Sequence, residues 1–324
     1  MTQAAALRPR PPVHIGLWLQ VVTIRLVGMP TIGRFGAVGC AMVTPFDEDG
    51  TLDLDAAVAL ARWLCSHGND FLVLAGTTGE SPVLTDSEKR DLWRTVVESV
   101  TVPIVAGTST YDTAHSVALT RAARECGAAG ILAVTPYYSR PPQSGLEGHF
   151  RAIHEAATGL PVLLYDIPVR TGRKLADETV VRLARDEIIV GVKDATANPA
   201  ASAALLREAP DGFELYSGND GDTLALLAVG AVGVISVESH WAGEQVSEMI
   251  AAFSKGDVDH AREVNNRLIP SHRFQSSDQS PNPIPTKAMM RALGHSVGDC
   301  RLPLGPAPEG LEAEARRVHA ELNG

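Results

Sequence analysis

Residues able to carry chemistry occur at regular intervals along this sequence, each near the end of a short apolar run. They are mostly threonine, serine and tyrosine, and one is a lysine. In chain order they are Thr44, Thr77, Thr78, Thr108, Tyr137, Tyr138, Tyr165, Lys193, Ser217, Gly218 and Ser236. No acidic pair and no cluster of histidine and cysteine accompanies them. The sequence therefore predicts no metal site and favours chemistry based on an amine and hydroxyl groups.

Lys193 predicts the most specific chemistry of these residues. It follows the apolar run Ile-Ile-Val-Gly-Val at 188–192, so its amine is expected to start in an apolar environment. Desolvation disfavours the ammonium form and lowers the pKa of a lysine from roughly 10.4 toward neutrality. A neutral amine can attack a ketone and form a Schiff base. The alternative is a structural lysine that is paired with Asp194 or another carboxylate.

Tyr165 strengthens the catalytic interpretation of Lys193. It ends the preceding apolar run, Pro161-Val-Leu-Leu-Tyr165, so both side chains are expected at the same end of neighbouring strands. A phenol near a lysine can move protons while a carbinolamine and an imine interconvert, and Thr77 could relay them. The alternative for Tyr165 is a core aromatic residue whose hydroxyl is hydrogen-bonded.

Two further features suit the binding of carboxylates. The turn Gly76-Thr-Thr-Gly-Glu80 is rich in backbone donors and hydroxyl groups, although it could be only a glycine turn before a helix. Arg170, in Pro168-Val-Arg-Thr-Gly172, offers a planar guanidinium for a second carboxylate. The alternative for Arg170 is a solvated loop residue.

The elements that must position these residues repeat from Val38 onward. Short runs rich in Val, Ile and Leu alternate with amphipathic stretches, and each run is apolar nearly throughout, as expected of parallel strands covered on both faces. The eight runs cover residues 38–44, 71–76, 103–108, 130–135, 161–166, 188–193, 213–218 and 232–237. This predicts a (β/α)8 barrel, in which catalysis lies at the carboxyl ends of the strands. A doubly wound sheet is disfavoured, because no G-x-G-x-x-G follows an early strand.

The chain divides into three predicted parts. The barrel covers residues 35–256, and helical patterns at Asp257–Leu268, Pro285–Leu293 and Gly310–Leu322 predict a C-terminal helical region over 257–324. Residues 1–34 form an N-terminal extension. Its apolar stretch, Val13–Met29, resembles a signal peptide, but Arg25 interrupts it and no A-x-A cleavage site follows. We favour an overlong translation start, with Met29 as the true one, over a real appended segment.

Composition excludes several classes of function. Lys and Arg number 28 against 38 Asp and Glu, giving a formal charge of −10, which argues against a partner with an anionic surface such as nucleic acid or membrane. The four cysteines lie far apart with no C-x-x-C, so neither a zinc site nor a disulfide framework is expected. A reducing cytoplasm is the simplest compartment.

Six ordered motifs carry a resemblance to a known family. They are Ala41-Met-Val-Thr-Pro-Phe46, Gly76-Thr-Thr-Gly-Glu-Ser81, Val134-Thr-Pro-Tyr-Tyr-Ser-Arg-Pro141, Tyr165-Asp-Ile-Pro-Val-Arg-Thr-Gly172, Gly191-Val-Lys-Asp-Ala195 and Tyr216-Ser-Gly-Asn-Asp220. From Phe35 to the C-terminus the chain resembles the pyruvate-dependent class I aldolases typified by N-acetylneuraminate lyase. Within them it is most similar to the 4-hydroxy-tetrahydrodipicolinate synthase family, also called dihydrodipicolinate synthases.

The resemblance implies roles for the reacting groups. Lys193 would form the Schiff base with pyruvate, and Tyr165, Thr77 and Tyr138 would form a proton relay. Tyr138 would reach the site from a neighbouring subunit. No metal or organic cofactor is implied, and the usual assembly is a homotetramer built as a dimer of dimers. The product would enter lysine and diaminopimelate biosynthesis.

The resemblance also implies which residues hold the substrates. Thr78 would bind the pyruvate carboxylate and Arg170 the carboxylate of L-aspartate 4-semialdehyde. Gly218 and Ile235 would line the pocket through backbone groups. Arg170 and Tyr138 favour the synthase over the sugar-acid lyases, whose pocket must accept a polyhydroxylated chain.

Two departures from the family pattern stand out. Glu238, in Ser236-Val-Glu-Ser-His240, is unusual near the barrel mouth, and the sequence assigns it no role. Lysine-inhibited relatives use two histidines, an asparagine and a glutamate at an interface site. The matching positions here are Asp86, Lys89, Tyr111 and His115. We therefore expect weak or absent feedback by lysine.

Three other functions remain open at this stage. The first is a related pyruvate aldolase or lyase acting on a sugar acid or another aldehyde, which would share Lys193 and Tyr165 but not depend on Arg170. The second is a degenerate relative that only binds pyruvate-like ligands. The third is a phosphate-binding barrel that uses Ser217-Gly-Asn219, which is disfavoured because no basic partner is near in the sequence.

Overall fold

Eight parallel strands close into a barrel, in which each strand pairs with the next along the chain and the last pairs with the first. The computed structural model describes residues 33–324, so the N-terminal extension up to residue 32, including Met29, lies outside the described residues. The strands are β1 Val38–Ala41, β2 Phe71–Leu74, β3 Ile104–Gly107, β4 Gly130–Val134, β5 Val162–Asp166, β6 Gly191–Asp194, β7 Glu214–Ser217 and β8 Gly233–Ser236. The predicted (β/α)8 barrel is confirmed.

Helices follow the strands and surround the barrel. They are α1 Leu54–Ser66, α2 Asp86–Ser99, α3 Thr113–Glu125, α4 Gln143–Ala157, α5 Pro168–Thr171, α6 Asp177–Arg185, α7 Pro199–Glu208, α8 Thr223–Ala228 and α9 Ser239–Ser254. The last of these is kinked at Ala242, whose φ of −130° and ψ of 24° are not helical. At the start of its first segment, the hydroxyl of Ser236 accepts a hydrogen bond of 2.8 Å from the Ser239 N–H.

Local sequence explains where several helices begin. Thr85 and Glu88 form a reciprocal capping box at the start of α2, so two backbone N–H groups without helical partners are satisfied. The carboxylates of Asp53 and Asp112 accept backbone N–H groups at the starts of α1 and α3. These side chains fix where the βα loops end and the helices begin.

The strands are buried on both faces, as their apolar composition predicts. One set of side chains fills the barrel interior, including Phe71, Val105, Leu163 and Tyr216. A larger set packs between the barrel and the surrounding helices. Register places the Cα of Tyr165 on β5 beside that of Lys193 on β6, so these two residues leave their strands at the same level.

Three more helices form the C-terminal region, α10 Val258–Phe274, α11 Ile284–Ala292 and α12 Leu311–Asn323. Helix α10 packs on α9, and α12 packs on both α10 and α11. Their apolar faces share a core that includes Trp241, Val264 and Met289. Within residues 33–324, no helix combines the length and the apolar composition needed to cross a bilayer.

Candidate active site

Lys193 lies at the carboxyl end of β6, buried inside the barrel mouth with 4% of its surface exposed. Burial lowers the pKa of its amine from 10.5 to about 8, while the nearby carboxylate of Asp220 works against this shift. Asp194 faces other partners, since it accepts hydrogen bonds from the Ser202 hydroxyl and from the Thr196 N–H. Among the described residues, no carboxylate lies within ion-pair distance of Lys193, which disfavours the structural alternative.

Tyr165 lies directly against the lysine. The Nζ atom of Lys193 is 4.4 Å from the centroid of the Tyr165 ring. Burial raises the pKa of the Tyr165 phenol to about 12, although the charge of Arg170 and a hydrogen bond with Thr77 oppose the shift. The phenol therefore stays protonated at neutral pH and can donate a proton to an oxygen held beside Lys193. The structure brings Lys193, Tyr165 and Thr77 together.

A cavity of about 240 Å³ opens in front of Tyr165. Thr77, Tyr137, Tyr165 and Arg170 supply its polar groups, and Leu132, Val134 and Ile167 supply apolar surface. Lys193 is buried against the ring of Tyr165, which is part of the cavity wall. The cavity is large enough only for small molecules, and its polar groups are donors suited to anionic or carbonyl oxygens.

The turn after β2 is held from two sides. The Thr44 hydroxyl donates a hydrogen bond of 2.7 Å to the carbonyl of Gly79. Glu80, which has a positive φ of 56°, forms an ion pair of 2.7 Å with the buried Lys287 on α11. The Thr78 hydroxyl accepts a hydrogen bond of 2.9 Å from the side-chain amide of Asn282. The C-terminal region thus fixes the turn that carries Thr77 and Thr78.

Arg170 lies on the single helical turn α5, which begins at Pro168, two residues after the end of β5. Its guanidinium donates a hydrogen bond of 3.2 Å to the carbonyl of Asn282, and it lines the cavity. Asn282 therefore contacts both Thr78 and Arg170. Arg170 can bind one anionic group of a ligand, and the hydroxyl groups of the turn after β2 can bind another. The cavity can therefore accept a ligand with two anionic ends.

Gly218 and Ile235 lie at the ends of β7 and β8, outside the residues that line this cavity. The Gly218 N–H donates a hydrogen bond of 2.7 Å to the carbonyl of Asp194. A Cβ atom at Gly218 would lie 2.9 Å from the Cβ of Ala195, so only glycine allows the two loops to approach this closely. Ile235 is fully buried in the barrel interior.

Tyr138 points away from the site of its own chain. Its side chain is 94% exposed, and its backbone has a positive φ of 71°. The preceding residue, Tyr137, lines the cavity instead, and its ring meets the edge of Tyr111 at a centroid distance of 5.5 Å. Within one chain, the structure does not bring Tyr138 together with Lys193.

Sequence reasoning missed Asn282 and Lys287, and it left Glu238 without a role. Asn282 is preceded and followed by prolines in Pro281-Asn-Pro-Ile-Pro285, a local signal that could have marked a constrained segment. Nothing in the sequence near Lys287 indicates that it is paired with Glu80, 207 positions earlier in the chain. Within residues 33–324, no group of three or more metal-ligating side chains is arranged to hold a metal ion.

Comparisons with known proteins place the chain in one family. Residues 34–321 match the sequence profile described as the dihydrodipicolinate synthetase family. The 4-hydroxy-tetrahydrodipicolinate synthase of Acidothermus cellulolyticus is 50% identical over 272 residues, which cover 83% of this chain and 87% of that protein. The enzyme of the same name from Moorella thermoacetica is 47% identical over 84% of this chain and 92% of its own length.

Solved structures give the same result. The dihydrodipicolinate synthase of Bacillus anthracis superposes with a TM-score of 0.85 at 40% identity, covering 89% of this chain and 99% of that one. The enzyme from Cyanidioschyzon merolae, solved with lysine bound, also has a TM-score of 0.85, at 39% identity over 89% of this chain and 98% of that one.

Proposed function

The chain belongs to the dihydrodipicolinate synthetase family, and from this premise we propose that it condenses pyruvate with L-aspartate 4-semialdehyde through a Schiff base on Lys193. The product is 4-hydroxy-tetrahydrodipicolinate, for lysine and diaminopimelate biosynthesis. The observation that carries the assignment of the nucleophile is the buried Lys193 amine, with a pKa of about 8, against the phenol of Tyr165.

The first half of the reaction forms the imine. The Lys193 amine attacks the C2 ketone of pyruvate, and the carbinolamine oxygen leaves as water after accepting a proton from the Tyr165 phenol. Thr77, hydrogen-bonded to Tyr165, passes protons along the relay. Thr78 holds the pyruvate carboxylate, and the backbone groups of Gly218 and Ile235 complete the pocket. The imine then loses a proton from C3 and becomes an enamine.

The second half joins the two substrates. The enamine carbon attacks the aldehyde of L-aspartate 4-semialdehyde, whose oxygen takes up a proton. The amino group of the aldehyde substrate then attacks the imine carbon, closes the ring and expels the Lys193 amine. Arg170, at the edge of the cavity, binds the carboxylate of the aldehyde substrate. The chemistry needs no metal or organic cofactor, because the lysine imine serves as the electron sink.

Further proposals concern assembly and location. The 94% exposure of Tyr138 supports its contribution to the relay of a neighbouring subunit. We propose that the assembly is the homotetramer, a dimer of dimers, that the family resemblance implies. Four free cysteines support a reducing cytoplasm. We also propose that residues 35–256 form the catalytic barrel, and that the helical region 257–324 supports its mouth.

The experiment that tests the function measures pyruvate consumption with L-aspartate 4-semialdehyde present. Lys193→Ala should abolish turnover and also the trapping of pyruvate by borohydride, whereas Arg170→Ala should keep the trapping and lose turnover of the aldehyde. Lys255→Ala, which changes an exposed lysine, is the matched control and should behave as wild type. Pyruvate trapped on Lys193 without consumption of this aldehyde would instead indicate a related aldolase with another acceptor.

A further inference from the structure

A buried histidine that the proposed reaction does not use connects the cavity with the surface of the protein. His149 lies on α4 and is 3% exposed. Its Nε2 atom lies 3.0 Å from the hydroxyl oxygen of Ser109, in the loop after β3, and its Nδ1 atom lies 2.9 Å from that of Thr113, the first residue of α3. Ser109 lines the cavity, whereas Thr113 is exposed. These three side chains form a hydrogen-bonded path, the Ser109–His149–Thr113 path, between the cavity and the surface.

One tautomer of His149 satisfies every group of this path. The Ser109 hydroxyl donates a hydrogen bond of 2.7 Å to the carbonyl of Val134, so its oxygen must accept the hydrogen bond from His149. The imidazole proton therefore lies on Nε2, and Nδ1 accepts a hydrogen bond from the Thr113 hydroxyl. Each donor is directed from the surface toward the cavity, which is the arrangement needed to deliver a proton there.

The imidazole is neutral, as a relay of this kind requires. Burial lowers the pKa of His149 from 6.5 to about 4, while the charge of Asp112 opposes this shift. A neutral imidazole carries a proton on one ring nitrogen and accepts at the other. It can thus take up a proton at Nδ1 and release one at Nε2.

One proton of the proposed reaction needs a donor. The aldehyde oxygen takes it up when the enamine carbon attacks, whereas the relay at Tyr165 serves formation of the imine. Ser109 lines the same cavity as Arg170, which is proposed to bind the aldehyde substrate. Ser109 also bonds to the carbonyl of Val134, whose Cα pairs with that of Tyr165 in the register of β4 and β5. The serine hydroxyl therefore lies in the cavity wall beside the strand that carries Tyr165.

We propose that the Ser109–His149–Thr113 path delivers the proton that the aldehyde oxygen takes up when the two substrates join. The proposal rests on the proposed function, because it concerns a step of that reaction. The carbon–carbon bond forms, the π bond of the aldehyde breaks, and its electron pair goes to the oxygen, which takes the Ser109 proton. Ser109 takes the Nε2 proton of His149, Nδ1 takes the Thr113 proton, and Thr113 takes one from water.

The path returns to its first state in the next turnover. Delivery of one proton leaves the imidazole proton of His149 on Nδ1, so the path is then arranged to carry a proton outward. Loss of the C3 proton from the imine, which precedes attack on the aldehyde, releases one proton into the cavity. Its transfer outward through Ser109 restores the proton on Nε2. One proton enters and one leaves in each turnover, so no further reactant is needed.

The test measures kcat and KM of Ser109→Ala and His149→Ala with both substrates. Each variant breaks the path at one point, so we expect kcat to fall by about 100-fold while KM for either substrate stays within about twofold. The double variant should fall no further than either single one, because the path acts as a unit. Borohydride trapping of pyruvate on Lys193 should be unchanged in all of them.

Chemical rescue separates proton transfer from a structural role. His149→Ala leaves a space of the size of an imidazole ring, so added imidazole should raise kcat with its concentration. N-methylimidazole has nearly the same shape, but its methylated nitrogen cannot take up a proton while the other releases one, so it should restore nothing. If His149→Ala does not fold, Ser109→Thr provides the second comparison. It keeps the hydroxyl and should retain most of the kcat that Ser109→Ala loses.

The matched control is His240→Ala. His240 is also buried, and burial also lowers its pKa to about 4, but its nitrogens bond to the Val43 N–H and to the Val237 carbonyl. Its variant should lose stability, and imidazole should not change its kcat. Wild-type kcat in both Ser109→Ala and His149→Ala would overturn the inference, as would a loss that imidazole leaves unchanged or that both compounds restore equally. Equal losses in Ser109→Ala and Ser109→Thr would overturn it too. Failure of borohydride to trap pyruvate on wild-type Lys193 would instead refute the proposed function itself.

Discussion

The side-chain amide of Asn282 donates a hydrogen bond of 2.9 Å to the hydroxyl of Thr78, and so joins the C-terminal region to the turn after β2. The backbone carbonyl of Asn282 accepts a hydrogen bond from Arg170 at 3.2 Å. The hydroxyl of Thr286 donates to its amide oxygen at 2.8 Å, which fixes the orientation of the amide. One asparagine therefore contacts both side chains proposed to hold substrate carboxylates.

Replacing this asparagine should weaken substrate binding more than it slows chemistry. Asn282→Ala leaves the buried Thr78 hydroxyl without its donor, so we expect kcat/KM for pyruvate to fall by about tenfold, mainly through KM. Steady-state kinetics with each substrate varied would measure this. Asn198→Ala, which removes only the cap of α7, should change stability but not KM. A variant whose loss lies wholly in kcat would contradict the positioning role.

The strand ends were predictable because they follow a local rule. Each apolar run predicts a strand, and parallel strands in a barrel bring their carboxyl ends to one face. Tyr165 and Lys193 end two successive apolar runs about 28 residues apart, so the sequence predicted that they would lie side by side. The register between β5 and β6 confirms this prediction.

The contacts that hold the site were not predictable in this way. Asn282 meets Thr78 across 204 positions, and Lys287 meets Glu80 across a similar separation. Such pairs form only when the C-terminal helices pack against the barrel. A hydrophobic periodicity read over a short stretch of sequence does not predict that packing. Tyr138 illustrates a different limit, since its exposed side chain has its proposed role only in an assembly.

Removing one partner of the ion pair between Lys287 and Glu80 should be strongly destabilising. Both side chains are at most 1% exposed and lie 2.7 Å apart. Lys287→Met would leave Glu80 charged and buried, so we expect the free energy of unfolding to fall by about 3–5 kcal/mol. Adding Glu80→Gln to that variant should recover part of the loss. Denaturant titration measures both, and Arg207→Ala, which breaks an exposed ion pair, should cost at most about 1 kcal/mol.

The buried amine of Lys193 should cost stability at neutral pH. Its pKa is about 8 in the folded protein against 10.5 ordinarily, so the unfolded chain binds the proton more tightly. The cost is fully present below about pH 8 and disappears as the pH rises through 10.5. Lys193→Met should therefore be more stable at pH 7 by on the order of 3 kcal/mol, while being inactive.

Denaturant unfolding at pH 7 and at pH 10 would measure this difference. The advantage of Lys193→Met should shrink at the higher pH, where the lysine is neutral in both states. Lys255→Met, at an exposed position, should show neither effect. A Lys193→Met variant that is less stable than wild type at pH 7 would refute the expectation.

L-Lysine should inhibit this enzyme weakly or not at all. At the positions that we expect to match the inhibitor site of lysine-sensitive relatives, Asp86 is paired with His115 at 2.8 Å, and Lys89 is buried. The fourth position, Tyr111, presents an aromatic ring that packs on Tyr137. Few acceptors remain for the ammonium groups of lysine. Initial rates with sub-millimolar L-lysine should match those without it, and strong inhibition there would disprove this prediction.

The exposed Tyr138 should act in the site of a neighbouring subunit, which subunit mixing can detect. Tyr138→Phe and Lys193→Ala should each be nearly inactive alone. After joint refolding, a hybrid dimer has one site with the intact lysine of one chain and the intact tyrosine of the other. Random pairing in equal amounts should restore about one quarter of the wild-type activity, because half of the dimers are hybrids with one active site each.

A second mixture provides the control for this experiment. Tyr165 and Lys193 lie in contact within one chain, with 4.4 Å between the amine and the ring centroid. Mixing Tyr165→Phe with Lys193→Ala should therefore restore nothing, since every site lacks one of the two groups. Recovery in the first mixture alone would place Tyr138 in its partner's site. Equal recovery in both mixtures, or in neither, would contradict the exchange of this residue between subunits.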